Sequence, residues 1–170
     1  FHKEYPRIKV TVTNAPTPET ICSLEEGKID FGVVTTPFSC KSTIHSMMVK
    51  PIGTVFIAGD SFGELKGKKL DYSILGSMPC IFLEKNTSTR AFMDAFLSAK
   101  GMELTPEFEL ATSDMIVQFA KRNMGVGCVM DGFAKDAIAK GEVFELDFKE
   151  KMPLRHICVV TGENTDVDRK

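Results

Sequence analysis

The sequence lacks most of the signatures from which an enzyme or a membrane protein is recognised. It has no tryptophan and only three histidines, His2, His45 and His156, which do not form a HExxH motif or another metal-binding spacing. No GxxxxGK[ST] motif is present. The sequence fits GxSxG once, as GDSFG at 59–63, and this short match alone identifies no acid or base partner for its serine. No apolar run reaches the length that crosses a bilayer. We therefore expect no catalytic residue set, no metal, no cofactor and no membrane span.

The charge composition argues against direct contact with nucleic acid. The chain has 21 lysines and arginines against 23 aspartates and glutamates, for a net charge of −2. A surface that follows a phosphate backbone needs an excess of basic residues on one face. We expect that this chain alone does not bind nucleic acid.

The five cysteines are widely spaced and form no CxxC motif. They lie at Cys22, Cys40, Cys80, Cys128 and Cys158. An odd number of isolated cysteines is typical of reduced thiols, which indicates a cytoplasmic protein. An alternative remains open, in which Cys80 or Cys128 has a lowered pKa and reacts with oxidants.

Short apolar strands alternate with helices along the chain. Residues 8–13 alternate like a strand, Thr17 and Pro18 then form a typical helix start, and residues 29–34 read as a buried strand. With 43% hydrophobic residues, the chain can bury the core of one domain or two small lobes. The alternation predicts an α/β architecture with largely parallel sheets.

Three junctions between a strand and a helix are rich in small hydroxyl residues, at 13–17, 83–88 and 111–113. In open α/β sheets, ligands bind beyond the carboxyl ends of strands, where helix starts leave backbone N–H groups unpaired. Three such junctions around one crevice would form a binding site.

Two further positions invite specific interpretations. Arg90 stands in the first turn of a predicted helix, where a positive charge opposes the helix dipole. It contacts either an anionic ligand or Asp94, four residues later, and helix geometry favours Asp94. Gly125 and Gly127 resemble part of a nucleotide-binding fingerprint, but they follow a helix and lie within a strand. Glycine there predicts close packing of the strand against the helix.

Several segments resemble the effector-binding domain of LysR-type transcriptional regulators. They are FHKEYP at 1–6, GKIDFGVV at 27–34 and MIVQFAKRNMGVGCVM at 115–130, in the same order as in the family. Asn123 stands where the family usually has glycine, and Met130 where proline is common. Since a strand pattern begins almost at once, we expect the chain to be part of a longer protein.

The resemblance implies a fold similar to the type 2 periplasmic binding proteins, in which two Rossmann-like lobes are joined by two hinge strands. Lobe I is expected at 1–58 plus 148–170, lobe II at 59–147, and the hinge strands near TVFIAGD and VFELDF. The resemblance also implies a small polar or anionic effector in the interlobe cleft and a homo-oligomer, a dimer or tetramer. DNA would be contacted only through an N-terminal domain that this chain does not contain.

The effector contacts that the resemblance implies fall at the hydroxyl-rich junctions and at neighbouring strand ends. They are Ala15, Pro16, Thr17, Thr35, Thr36, Thr87, Ser88, Thr89, Thr112, Ser113, Met130 and Asp131. Each serine or threonine taken alone is equally well explained as an ordinary helix cap.

Two other functions remain open for such a fold. The first is an exported solute-binding protein, against which the odd cysteine count argues mildly. The second is an enzyme, such as a dehydratase or a tetrapyrrole-assembling deaminase. That function needs an acid or a cofactor-carrying residue at the cleft, and only Asp131 and the cysteines are available.

Overall fold

The computed structural model describes residues 1–162 of the chain. Two 3-10 helices, Asp60–Leu65 and Tyr72–Ser77, accompany the α-helices and strands. Those elements are α1 (Thr17–Glu25), β1 (Phe31–Thr35), β2 (Ile44–Ile52), β3 (Thr54–Ala58), β4 (Lys69–Leu70), β5 (Cys80–Leu83), α2 (Ser88–Ser98), β6 (Phe108–Leu110), α3 (Ser113–Lys121), β7 (Val126–Met130), α4 (Asp131–Ala139), β8 (Phe144–Glu145), β9 (Asp147–Phe148) and β10 (Arg155–Gly162).

The strands form two main sheets, and each sheet is the centre of one lobe. The three-stranded lobe consists of α1 and a sheet in which β10 lies between β1 and β2 and runs antiparallel to both. The five-stranded lobe has the strand order β6-β5-β7-β3-β8 and carries α2, α3 and α4. A short parallel pair, β4 and β9, adds Leu70 and Phe148 to the core of the five-stranded lobe.

The central strands of the five-stranded lobe are buried on both faces. Along β5, Cys80 and Phe82 join the core beneath α2, while Ile81 and Leu83 join the core beneath α3 and α4. Successive side chains of a strand point to opposite faces, so a strand between two cores must be apolar at every position. Burial on both faces explains the continuous apolar sequence CIFL. It also fixes the position of β5, whose end leads through residues 84–87 into α2.

The three-stranded lobe has a much smaller core. Ile21 and Leu24 of α1 pack against Val34 of β1 and Val160 of β10. Other apolar side chains of this lobe stay exposed, namely Phe31, Val33, Met47, Met48 and Val49.

The structure corrects two expectations from the sequence. Residues 8–13, predicted as a strand, form no strand, and Val12 is 85% exposed. An alternating pattern becomes a strand only where a neighbour supplies hydrogen bonds, and no strand of residues 1–162 pairs with this segment. The predicted largely parallel sheets are also wrong. Within the same residues, parallel pairing is confined to β4–β9, β5–β6 and β5–β7.

The chain passes between the lobes near both predicted boundaries. It leaves the three-stranded lobe after β2 and returns to it between β9 and β10. β3, which the prediction assigned to lobe I, hydrogen-bonds with β7 and β8 in the five-stranded sheet. Residues 163–170 of the predicted lobe I lie outside the described residues. The division at 58 and 148 stays a prediction.

The expected end of α3 is confirmed. Asn123 has φ 60, the left-handed conformation that ends a helix. Its side-chain oxygen accepts a hydrogen bond from Ser61 N at 2.9 Å, so the helix end is tied to the segment that follows β3. No helix within residues 1–162 is both long and apolar enough to cross a membrane.

The expected close packing at Gly127 is also confirmed. A Cβ atom there would lie 2.5 Å from Ile116 Cγ2 of α3, which is shorter than a non-bonded contact between two carbon atoms allows. We expect Gly127→Ala to lower the free energy of unfolding by about 1–3 kcal/mol through overpacking, measured by urea denaturation. Gly132→Ala on α4 is the control, because an added Cβ meets no atom of residues 1–162 within 4 Å. Equal losses of stability in the two variants would contradict this packing.

Candidate functional site

The first residues of α1 and α2 meet across the two lobes. Ser88 Oγ lies 3.2 Å from Thr17 Oγ1 and 2.6 Å from Thr35 Oγ1, at the end of β1. Thr35 N also donates to Thr17 Oγ1 at 3.5 Å. Three predicted site residues therefore form one hydrogen-bonded group that joins the three-stranded lobe to the five-stranded lobe.

The helix starts explain why these hydroxyls are available. Thr17 was expected to cap α1, but the N-cap is Pro16, and no side chain caps the helix. The Thr17 hydroxyl is therefore not used within α1. Thr87, by contrast, is the N-cap of α2, and its Oγ1 accepts a hydrogen bond from Arg90 N at 3.2 Å. Ser88, one residue later, projects its hydroxyl towards the other lobe.

A cavity of about 350 Å³ opens beside these hydroxyls. Its volume suits a small metabolite. The lining comes from both lobes, and Lys85 is its charged member. The lining residues are Thr17, Pro18, Ile21, Pro37, Phe38, Ser39, Lys85, Asn86, Thr87, Ser88 and Ala91.

Three of these lining residues, Thr17, Thr87 and Ser88, were predicted from the sequence as effector contacts, and the others were not. Lys85 and Asn86 directly precede the N-cap of α2, so their position in the same junction was a usable signal. Phe38 follows β1 by three residues and had no comparable signal.

A buried arginine connects the lobes next to the hydroxyl group. Arg155, the first residue of β10, is 2% exposed. Its Nη1 donates to the Thr36 carbonyl at 3.3 Å, and its Nη2 donates to Thr54 Oγ1 at 3.3 Å and to Thr89 Oγ1 at 2.9 Å. The face of the Phe92 ring lies 5.0 Å from Arg155 Cζ. Thr36 and Thr89, both predicted site residues, therefore meet at a residue that the sequence did not indicate.

Arg90 has a different environment, which confirms the expectation that it pairs with Asp94. Its Nε lies 2.9 Å from both Asp94 carboxylate oxygens, and its Nη1 donates to Glu109 Oε1 and to the Leu83 carbonyl, each at 2.8 Å. Burial alone would lower the pKa of the Arg90 guanidinium, but the hydrogen bonds to Glu109 and Asp94 raise it. Arg90 therefore faces its own lobe and not the cavity.

The other predicted residues from the first junction make local contacts. The carbonyls of Ala15 and Pro16 accept hydrogen bonds from Thr20 Oγ1, at 3.3 Å and 3.1 Å. Thr36 Oγ1 accepts a hydrogen bond from His156 N at 2.9 Å. These residues lie beside Thr17 and Thr35 in the chain but do not line the cavity.

The predicted residues of α3 and α4 do not line the cavity either. Thr112 is the N-cap of α3 and accepts a hydrogen bond from Met115 N, while Ser113 is buried. Met130 is the N-cap of α4, and Asp131 Oδ2 accepts a hydrogen bond from Gly53 N at 3.1 Å. Asp131 is therefore engaged with the turn between β2 and β3.

The sequence as a whole matches the family described as the LysR substrate binding domain, over residues 1–169. The chain belongs to this family. LysR-type proteins are transcription regulators, and this family forms their regulatory domain. No curated protein sequence matches the chain.

Solved structures show the fold of this LysR domain. The CcmR regulatory domain of Synechocystis PCC6803, in complex with 2-PG, aligns with a TM-score of 0.82 at 16% identity, covering 96% of this chain and 78% of that chain. The effector-binding domain of QuiR, in complex with shikimate, aligns with a TM-score of 0.75 at 15% identity, covering 88% of this chain and 70% of that chain. The reduced regulatory domain of OxyR2 from Vibrio vulnificus aligns with a TM-score of 0.77 at 15% identity, covering 96% of this chain and 76% of that chain. The predicted fold class, α/β and like the type 2 periplasmic binding proteins, is thereby confirmed.

The environments of Cys80 and Cys128 argue against a thiol sensor in the LysR domain. Both side chains are buried, and burial raises the pKa of Cys80 to about 12 and raises the pKa of Cys128 as well. A thiol with a pKa of 12 carries roughly a thousandfold less reactive thiolate at neutral pH than an ordinary cysteine.

We therefore expect iodoacetamide at pH 8 to modify the exposed Cys22 and Cys40 well before Cys80 and Cys128. Peptide mass spectrometry over a time course measures the order of modification. Labelling in urea is the control, since all five cysteines should then react at similar rates. Early modification of Cys80 or Cys128 in the folded protein would restore the sensor alternative.

Proposed function

We propose that this LysR domain binds a small polar or anionic metabolite in its interlobe cleft and transmits the binding to a DNA-binding domain. The observation that carries the proposal is the contact of the Ser88 hydroxyl with Thr17 and Thr35 across the two lobes. Hydroxyls at helix starts suit a carboxylate, a phosphate, a sulfate or a neutral polar group. CcmR in complex with 2-PG and QuiR in complex with shikimate support a small ligand in this fold.

The proposed effector contacts are, first, Thr17, Thr35 and Ser88. The adjacent predicted residues Thr87 and Thr89 belong to the same start of α2 and contribute backbone N–H groups and shape. Thr112, Ser113, Met130 and Asp131 form the remaining wall of the predicted cleft, with Ala15, Pro16 and Thr36 beside the first three contacts. The proposed lobes are those of the sequence division, 1–58 plus 148–170 and 59–147, although β3 at the first boundary pairs with strands of the five-stranded sheet.

The proposed mechanism is a shift between interlobe arrangements. In the described arrangement, the hydroxyls of the two lobes satisfy each other. An effector that bridges Thr17 and Ser88 replaces these direct contacts and favours the arrangement whose spacing it fits. A tenfold change in DNA preference needs about 1.4 kcal/mol of difference in effector binding between two arrangements.

The remaining features of the proposal follow from the regulator family. We propose a cytoplasmic homo-oligomer, a dimer or tetramer, whose contact with DNA comes from an N-terminal domain outside this chain. The role is sensing and not catalysis. Membership in the LysR substrate binding domain family favours this function over an exported solute-binding protein of the same fold.

We expect Ser88→Ala and Thr17→Ala to weaken effector binding about tenfold, because each removes one hydrogen bond to a polar ligand. Their free energy of unfolding should fall by no more than about 1.5 kcal/mol, since neither hydroxyl caps its helix and each loses only hydrogen bonds between the lobes. The effector is first found by thermal-shift screening of small metabolites, and its affinity is then measured by calorimetry. Ser98→Ala, an exposed position near the end of α2, is the matched control and should bind normally. Normal binding by both site variants would refute the cleft assignment.

A further inference from the structure

Arg155 places a positive charge between the lobes, and within residues 1–162 no carboxylate pairs with it. Its side chain is 2% exposed, and its hydrogen bonds go to three neutral oxygens, those of Thr36, Thr54 and Thr89. Its buried Nε has no hydrogen-bond partner within residues 1–162, and no carboxylate of those residues lies within ion-pair distance. A buried charge that is neither paired nor fully hydrogen-bonded is energetically costly.

Arg90 provides a direct comparison within the same molecule. It is 3% exposed, nearly as buried as Arg155, but it forms ion pairs with Asp94 and Glu109. Burial lowers the pKa of Arg155, whereas the two carboxylates raise the pKa of Arg90. Among residues 1–162, carboxylates therefore compensate the charge of Arg90 but not that of Arg155.

The uncompensated charge lies one residue from the hydroxyl contact on each side. Thr36 follows Thr35 in the chain, and Thr89 follows Ser88, and the hydroxyls of Thr35 and Ser88 are 2.6 Å apart. Lys85, which lines the cavity, is also positive, and no aspartate or glutamate of residues 1–162 belongs to the lining. The lining of the cavity thus favours negative charge, while Asp131, in the remaining wall of the proposed cleft, accepts a hydrogen bond from Gly53 N.

We propose that Arg155 is the counter-charge of an anionic effector, whose carboxylate or phosphate pairs with the guanidinium where the hydroxyls of Ser88 and Thr35 now meet. This inference rests on the proposed function and narrows its ligand from polar or anionic metabolites to small organic acids and phosphates. Arg155 has donor groups to spare, and a guanidinium matches two oxygens of a planar carboxylate at once. Pairing also explains why the chain retains a costly charge at this place.

The test uses small organic acids, organic phosphates and sulfate, together with the uncharged amides or alcohols of the same acids. All are screened by thermal shift at constant ionic strength, and affinities are measured by calorimetry. We expect acids to bind the unmodified domain and their amides to bind at least about 30-fold more weakly, as for loss of one partner of a buried charge pair.

Variants then assign the effect to Arg155. Arg155→Met should weaken acid binding by at least about 30-fold, and Arg155→Lys by about tenfold, because lysine keeps the charge but not the planar fork. Arg90→Met is the matched control, since it also removes a buried arginine but one whose partners all lie in its own lobe, and it should bind the acids within about threefold of the unmodified domain. Circular dichroism checks that each variant folds.

The outcomes separate this inference from the proposed function. If amides bind as tightly as acids, or if Arg155→Met binds acids normally, Arg155 is not the counter-charge. The proposed function then still stands, provided that Ser88→Ala weakens binding. If no compound of a broad metabolite screen binds, both the inference about Arg155 and the proposed function are refuted. If Arg155→Met does not fold, Arg155→Lys decides alone, and unchanged affinity for acids in that variant overturns the inference.

Discussion

The hydrogen bonds of Arg155 constrain how the two lobes meet. Its guanidinium reaches the Thr36 carbonyl from one lobe and the hydroxyls of Thr54 and Thr89 from the other. Because the guanidinium is buried, losing any of these acceptors raises the free energy of the charge, unless a counter-ion takes the place of the lost acceptor. The described arrangement therefore depends on keeping the three oxygens close. Under the proposed function, a negatively charged ligand would replace some of these acceptors, and the lobes could then change their arrangement without leaving the charge unpaired.

The architecture puts the polar groups at the right place for such a response. β5 is buried on both faces, so its position is fixed by two cores, and the chain enters α2 immediately beyond it. Ser88, Thr89 and Arg90 then point to three different partners: the hydroxyls of the other lobe, the guanidinium of Arg155 and the carboxylates of their own lobe. Small hydroxyls held on rigid elements make a precise site, although each of them is a weak signal in the sequence.

Local chemistry was predictable from the sequence, and contacts between distant segments were not. The pairing of Arg90 with Asp94 follows from their spacing on a helix, and the apolar runs of β5 and β7 follow from burial on both faces. Residues 8–13 failed as a strand because alternation does not reveal whether a partner strand is present. Thr17 is released from capping because α1 begins one residue earlier than expected, with Pro16 as its N-cap. Arg155 was missed because nothing in a sequence shows that a lone basic residue is buried.

The open side of the three-stranded sheet bears on how the chain behaves in solution. β1 pairs with β10 on one side, and no strand within residues 1–162 pairs with its other side. Phe31 and Val33 are exposed along the same strand. An unpaired edge with apolar side chains is a template for another extended chain. Of the two lobes, the small three-stranded one therefore carries the strand edge on which a second extended chain could pair.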